Sequence, residues 1–120
     1  MGNTIGLPAT PRGNSLIVNL SFTLYGGTQV MNITGYTIAF IANQVMDQKT
    51  PPPVYIEWDN HSNPIGGLSQ LVVSNSLTAT LTPGDYYFNI DLEDPYGNVS
   101  TYAAGTWPIT PVPGLMSGAA

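Results

Sequence analysis

The amino-acid sequence predicts an all-β protein, a two-sheet antiparallel sandwich of seven to eight strands. Short segments alternate between apolar and polar residues, which is the pattern of half-buried strands. Turn residues separate these segments at intervals of roughly 8 to 12 residues, as is typical of sandwiches. No segment has the periodicity of a helix of useful length.

The first core strand is predicted over residues 15–24. One face of this segment carries Leu16, Val18, Leu20, Phe22 and Leu24. The other face is polar except for Ile17, so the pattern indicates a core strand. The pair Gly26-Gly27 then favours a tight turn, because glycine readily adopts positive φ.

The middle of the chain predicts five further strands of variable clarity. They cover residues 30–33, 36–42, 54–59, 68–74 and 76–81. In the second of them, Ile38 and Phe40 share the face expected to be buried. A proline-rich loop over residues 43–53 and a turn-rich segment over residues 60–67 separate the strands.

A hairpin over residues 81–109 completes the predicted set. Tyr86, Phe88, Ile90 and Leu92 alternate with polar residues, and the turn Asp94-Pro95-Tyr96-Gly97 has the residue order of a type I turn. In the second strand we expect a bulge at Gly105. Pro108 requires that strand to end or to lie at a sheet edge.

One domain over residues 15–110 is therefore expected, with aperiodic arms over residues 1–14 and 111–120. The ten residues expected in its core are Leu16, Val18, Leu20, Phe22, Ile38, Phe40, Tyr86, Phe88, Ile90 and Leu92.

Charge is scarce in this sequence. Charged residues make up 8% of the chain, against roughly 25% in an average soluble domain. A surface with few ions is cheap to desolvate, which suits either a protein packed against neighbours or a neutral polar exterior. The net charge of −5 argues against nucleic acid and against an anionic membrane surface as partners.

No catalytic signature is present, and we expect neither an enzyme nor a cofactor. The chain has no cysteine, and the single histidine, His61, is expected to be exposed in a loop. Asp91, Glu93 and Asp94 leave a calcium site conceivable, although the turn and a solvent-facing strand also explain them. No spacing supports a glycosidase pair between Glu57 and these acids.

Exposed aromatic residues are the stronger candidates for a functional surface. Tyr55, Tyr87, Tyr96 and Tyr102 are expected outside the core, with Trp58 or Trp107 partly exposed. Such rings suit either a protein interface, which we favour, or a sugar-binding face. Buried tryptophans would count against the sugar-binding alternative.

The segment from Leu81 to Tyr87 has the spacing of the tyrosine corner of fibronectin-type sandwiches, which makes the predicted fold immunoglobulin-like. The inward face belongs to Tyr86, however. We therefore expect Tyr86 to be buried and Tyr87 to be exposed or at an interface.

The order of motifs resembles the N-terminal domain family of the baseplate upper protein of siphophages. The matching segments, within about residues 15 to 110, are residues 22–27, Ile33-Thr34-Gly35-Tyr36, residues 81–87, residues 94–97 and Gly105-Thr106-Trp107. The larger family members continue into a shaft that reaches a fibre, whereas this sequence stops soon after the domain.

The resemblance implies a non-enzymatic bacteriophage virion protein, a small decoration or adaptor subunit on a capsid, connector or baseplate. Its expected partners are other virion proteins, including copies of itself. The arms would be ordered by docking on neighbours. The alternative is a carbohydrate-binding or adhesion module that uses exposed Tyr and Trp residues.

Overall fold

A computed structural model describes residues 3–24, 29–45 and 52–111 of the chain. It contains ten strands and one short helix within these ranges. The elements are β1 (Asn3–Gly6), β2 (Thr10–Pro11), β3 (Leu16–Ser21), β4 (Thr23–Leu24), β5 (Gln29–Val30), β6 (Thr37–Gln44), β7 (Val54–Trp58), β8 (Leu68–Val73), α1 (Asn75–Thr78), β9 (Gly84–Glu93) and β10 (Val99–Thr110). The all-β prediction is confirmed.

The largest sheet is mixed and has six strands. Its order is β1-β10-β9-β6-β7, and β2 also pairs with β10. Neighbouring strands in the series β10, β9, β6 and β7 pair antiparallel, whereas β1 and β2 run parallel to β10. Two smaller sheets, β3-β8 and β4-β5, have two strands each.

One apolar core joins the large sheet to the β3-β8 sheet. It contains residues of β3 and β8 together with the inward residues of β6, β9 and β10. Nine of the ten residues expected in the core are buried, and Val18 is half-buried. Among the largest side chains in this core are Trp107 and Phe40, whose ring centroids lie 5.6 Å apart.

The segment expected to form the N-terminal arm instead belongs to the large sheet. Asn3–Gly6 pairs with residues 103–106, and Thr10–Pro11 pairs with Ile109 and Thr110. Leu7, between the two strands, is buried in the core. The prediction of a free arm over residues 1–14 was wrong for the described part, because two-to-four-residue strands interrupted by proline show no period.

The break between β1 and β2 explains how Pro108 lies inside a strand. The carbonyl oxygens of Thr106 and Thr110 accept hydrogen bonds from the backbone of Leu7 and Arg12. Backbone groups alternate in direction along a strand, so the backbone of Pro108 faces the same side as the backbones of Thr106 and Thr110. At Pro108 this side of β10 meets the gap between β1 and β2. Proline lacks the N–H group there, and the sheet needs no donor at that point.

The predicted strand over residues 76–81 is a short helix followed by a turn. Ser74 caps the helix, since its hydroxyl accepts a hydrogen bond from the Leu77 backbone at 3.2 Å. Thr78 is the buried residue of this helix, and its hydroxyl donates a hydrogen bond to the Asn14 carbonyl at 2.7 Å. Leu77 and Leu81 are four residues apart, which fits a helical turn as well as a strand, and the alternation therefore misled the prediction.

The bulge in β10 lies at Tyr102, not at Gly105. Thr101 pairs with Asp91 and Ala103 pairs with Ile90, so Tyr102 is the extra residue. Because of this insertion, Thr101 shares the outer face with Asp91 whereas Ala103 is buried.

Other predicted features differ in detail or lie outside the described residues. The strand expected over residues 30–33 is confined to Gln29–Val30, and the first core strand is interrupted at Phe22. The Gly26-Gly27 turn, residues 46–51 of the proline-rich loop and residues 112–120 of the C-terminal arm lie outside the described ranges.

Candidate functional site

The outer face of the large sheet carries the first candidate site, which we call the tyrosine face: Tyr55, Glu57, Tyr87, Asp91 and Glu93. Strand register places these residues on one side. Ala39 lies between Glu57 on β7 and Asp91 on β9, and Ile41 lies beside Tyr55. A shallow depression on this face is lined by Thr37, Ala39, Ile41, Tyr55, Glu57, Asp91, Glu93 and Val99.

The electrostatics of the tyrosine face are anionic. The Tyr55 hydroxyl donates a hydrogen bond to Glu57 Oε2 at 3.2 Å. This bond and the negative charge of Glu57 raise the pKa of Tyr55, and the carboxylates of Asp91 and Glu93 add to the shift. Asp91 Oδ1 accepts hydrogen bonds from the side chains of Asn89 at 2.8 Å and Thr101 at 2.9 Å.

Asp91, Glu93 and Asp94 are not gathered into a metal-binding cluster in the part of the chain that the structure describes. Within residues 3–24, 29–45 and 52–111, no group of three or more histidine or acidic side chains is arranged to hold a metal ion. Asp91 and Glu93 lie on the sheet face, whereas Asp94 serves the turn. Its Oδ1 accepts hydrogen bonds from the backbones of Tyr96 and Asn98, each at 2.9 Å.

The hydrogen bond from the Asn98 backbone is the main reason that the pKa of Asp94 is lowered. The predicted turn therefore places Tyr96 at the tip of the β9-β10 hairpin, where its side chain is 90% exposed.

Tyr102 does not belong with the exposed tyrosines. Its ring packs edge-on against Phe22 at a centroid distance of 4.7 Å, and its hydroxyl accepts a hydrogen bond from the Thr23 backbone at 2.9 Å. The bulge turns Tyr102 towards the core and towards the end of β3. The expectation that Tyr102 is exposed was therefore wrong, whereas Tyr55 and Tyr87 are exposed.

His61 is half-buried and joins two loops to a strand. Its Nε2 donates to the Tyr36 carbonyl at 2.8 Å, and its Nδ1 lies 2.9 Å from the hydroxyl of the buried Ser69. That hydroxyl also accepts a hydrogen bond from Trp58 Nε1 at 2.8 Å. The prediction of an exposed loop histidine was wrong, because long-range partners are invisible in local composition.

Neither tryptophan offers an open ring. Trp107 is fully buried, and its Nε1 donates to the Thr10 hydroxyl at 2.9 Å. Trp58 is half-buried against the core. The aromatic side chains available on the surface of the described residues are therefore those of tyrosine.

The second candidate surface is the outer face of the β3-β8 sheet, which we call the uncharged face. It consists of Ile17, Asn19, Ser21, Leu68, Gln70 and Val72. Ile17 and Val72 are paired across the strands and are 60% and 47% exposed. The sequence indicated this apolar patch, because Ile17 is the one apolar residue on the otherwise polar side of its strand.

A groove of about 340 Å³ runs beside β3. One wall consists of six consecutive residues, 18–23, so the groove follows the backbone edge of the strand. The opposite wall contains Ile90, Tyr102 and Ala103. The groove and the uncharged face together form a continuous surface on which no described residue is charged.

No described helix is both long enough and apolar enough to cross a membrane. No protein-family model matches the chain, and no curated protein sequence matches it significantly.

Proposed function

We propose that this protein is a non-enzymatic structural subunit of a bacteriophage particle, a small decoration or adaptor protein that docks on other virion proteins. The observation that carries the proposal is the uncharged surface formed by the β3-β8 sheet and its groove. Burying such a surface displaces few hydrogen-bonded waters and desolvates no charged side chain, so the surface is suited to permanent contact with neighbouring subunits.

The fold proposed with this function is an immunoglobulin-like sandwich. The large sheet and the β3-β8 sheet would be its two layers, and the shared core supports this assignment. A second support is the hydrogen bond from the Tyr86 hydroxyl to the Thr82 carbonyl at 2.8 Å. A tyrosine that bonds to backbone a few residues upstream is the defining contact of a tyrosine corner.

The docking mechanism differs from one based on two free arms. Residues 3–11 are engaged with β10 of their own chain, so this segment is not available to lie along a neighbour. Docking would use the uncharged face, the tyrosine face and the Tyr96 turn.

The test is to compare particles with the purified subunit. Mass spectrometry of purified particles should find the protein in a fixed ratio to the major capsid or tail proteins. Hydrogen exchange should then show that β3 and β8 are protected in the particle and exchange faster in the free subunit. Absence of the protein from particles assembled in cells that express it would refute the proposal.

A carbohydrate-binding module is the second candidate, and the tyrosine face favours it. Tyr55 and Tyr87 lie on this face with the amide of Asn89 and the carboxylate of Asp91, which are groups that bind sugar hydroxyls. A glycan array with the wild-type protein and with Tyr55→Ala separates the candidates. Binding that Tyr55→Ala abolishes would support the sugar-binding function.

A further inference from the structure

We propose that the free edge of β3 pairs with β3 of a second copy of this chain, antiparallel and about a two-fold axis at Asn19. The two small sheets would then join into one four-stranded sheet in the order β8-β3-β3-β8. This inference concerns the isolated protein and does not depend on the virion role.

One edge of β3 has no partner strand among the described residues. In the described residues β3 pairs only with β8. The Phe22 backbone N–H donates to the Gly67 carbonyl on the β8 side. Because these groups alternate in direction, those of Leu16, Val18 and Leu20 also face β8, and those of Ile17, Asn19 and Ser21 face away.

Nothing in β3 protects this edge from pairing. Edge strands of monomeric proteins commonly carry a charge, a proline or a bulge that blocks addition of another strand. Residues 16–21 are Leu-Ile-Val-Asn-Leu-Ser, with none of these features, and their pairing with β8 is regular. A two-stranded sheet is also marginal by itself and gains stability from further strands.

The other edge of the small sheet is less open. Asn63 and Leu68 exchange two backbone hydrogen bonds, of 3.1 and 2.8 Å, so the loop before β8 already covers the start of that strand. Among the described residues, the second half of β8 is the part of this edge without such a partner. The groove, moreover, lies beside β3, where it leaves room for an incoming strand.

The distribution of charge selects a second copy as the occupant. Two chains of net charge −5 repel each other wherever their acidic surfaces meet. Glu57, Asp91 and Glu93 lie on the outer face of the large sheet, whereas no described residue of the uncharged face or the groove is charged. Two copies can therefore approach through β3 with the least repulsion.

The geometry of the pair follows from the free backbone groups. With the axis at Asn19, the backbones of the two Asn19 residues exchange hydrogen bonds, and their Cα atoms lie about 5.5 Å apart. Ile17 of each copy faces Ser21 of the other. Val18, a predicted core residue, is only half-buried in the single chain. In the dimer the partner strand would cover its open side.

Two matched variants test the pairing. Asn19→Lys and Gln70→Lys each add one positive charge to the uncharged face, and each removes the same side-chain hydrogen bond, from Gln70 Nε2 to Asn19 Oδ1 at 3.1 Å. In the proposed dimer of Asn19→Lys, the two introduced ammonium groups would face each other directly across the axis, and like charges in that position oppose pairing. Position 70 lies one strand further from the axis.

Sedimentation equilibrium over a concentration series is the measurement. We expect the wild type to form dimers, Asn19→Lys to weaken association at least about tenfold, and Gln70→Lys to weaken it much less. Equal effects of the two variants, or a wild type that stays monomeric up to about 1 mM, would overturn the proposal. Urea unfolding of both variants verifies that each is folded.

Cross-linking provides an independent measurement, because the chain has no cysteine of its own. A short bismaleimide should join two Asn19→Cys chains, whose Cα atoms are adjacent in the dimer, and should leave Gln70→Cys uncoupled at about three strand spacings, or about 14 Å. Cross-linking of Gln70→Cys alone would place the interface at β8 and refute the assignment to β3.

Discussion

Removing the Tyr86 hydroxyl tests how much the contact at the start of β9 contributes to stability. Tyr86 is 1% exposed, and its hydroxyl donates to the Thr82 carbonyl at 2.8 Å. Tyr86→Phe keeps the ring and its packing against Trp107, and it removes this one hydrogen bond. A bond of this kind contributes about 1 kcal/mol, and the carbonyl left behind adds a cost when water cannot replace the donor. We expect a loss of about 1 to 2 kcal/mol in the free energy of unfolding.

The larger truncation sets the scale for this effect. Tyr86→Ala also leaves a cavity beside Trp107, whose ring centroid lies 6.1 Å from that of Tyr86, and we expect it to cost about 3 to 5 kcal/mol. Tyr87→Ala is the matched control, because the next residue along the strand is 53% exposed on the opposite face. Its cost should be at most about 1 kcal/mol.

Urea unfolding followed by tryptophan fluorescence measures all three variants. The slope of the transition should stay constant while its midpoint falls in the order Tyr87→Ala, Tyr86→Phe, Tyr86→Ala. Equal losses for Tyr86→Ala and Tyr87→Ala would refute the assignment of faces on β9. A Tyr86→Phe variant as stable as the wild type would show that the hydroxyl contributes nothing.

The same tyrosine makes stability depend on pH in the alkaline range. Burial raises the pKa of Tyr86 above its ordinary value of 10.0. A group with a raised folded-state pKa contributes stability below the unfolded pKa and loses it as the pH rises towards the folded one. Above about pH 10 the wild type should therefore lose more stability than Tyr86→Phe does.

Three further predictions test other contacts. Thr10→Val leaves the buried indole N–H of Trp107 without its acceptor and should cost about 1 to 3 kcal/mol in thermal or urea unfolding, whereas Thr10→Ser should be close to wild type. Gly67→Ala places a Cβ 2.6 Å from two backbone oxygens and should prevent stable folding. Gly97→Ala, with a similar positive φ but no atom closer than 4.0 Å, should cost only about 1 to 2 kcal/mol. Asp94 has a lowered pKa, so its contribution is present above pH 3.8 and disappears as the pH falls below that value. Acid titration of Asp94→Ala should lack this part of the stability loss.

The sequence predicted well those elements in which five or more positions alternate. The strands containing Leu16 and Tyr86 emerged with the correct faces because each buried side chain repeats the same signal. Burial of Tyr86 rather than Tyr87 followed from this alternation alone. Within the described residues, length of pattern therefore decided the quality of prediction.

Features that depend on distant partners could not be predicted in this way. The hydrogen bonds of His61 reach Ser69 and Tyr36, 8 and 25 residues away. The open edge of β3 is likewise a property of topology, because the same residues would be protected if another strand lay beside them. Local sequence specifies what a strand can pair with, and the fold decides which edges are left unpaired.

Pairing of β1 and β2 with β10 has a consequence for the order in which the protein forms during synthesis. Residues 3–11 leave the ribosome well before their partners, residues 103–110, have been made. Contacts of such large sequence separation are slow to form. The nascent chain must therefore keep β1 and β2 unpaired until β10 has been made, and in that interval these strands depend on chaperones or on dilution to avoid other partners.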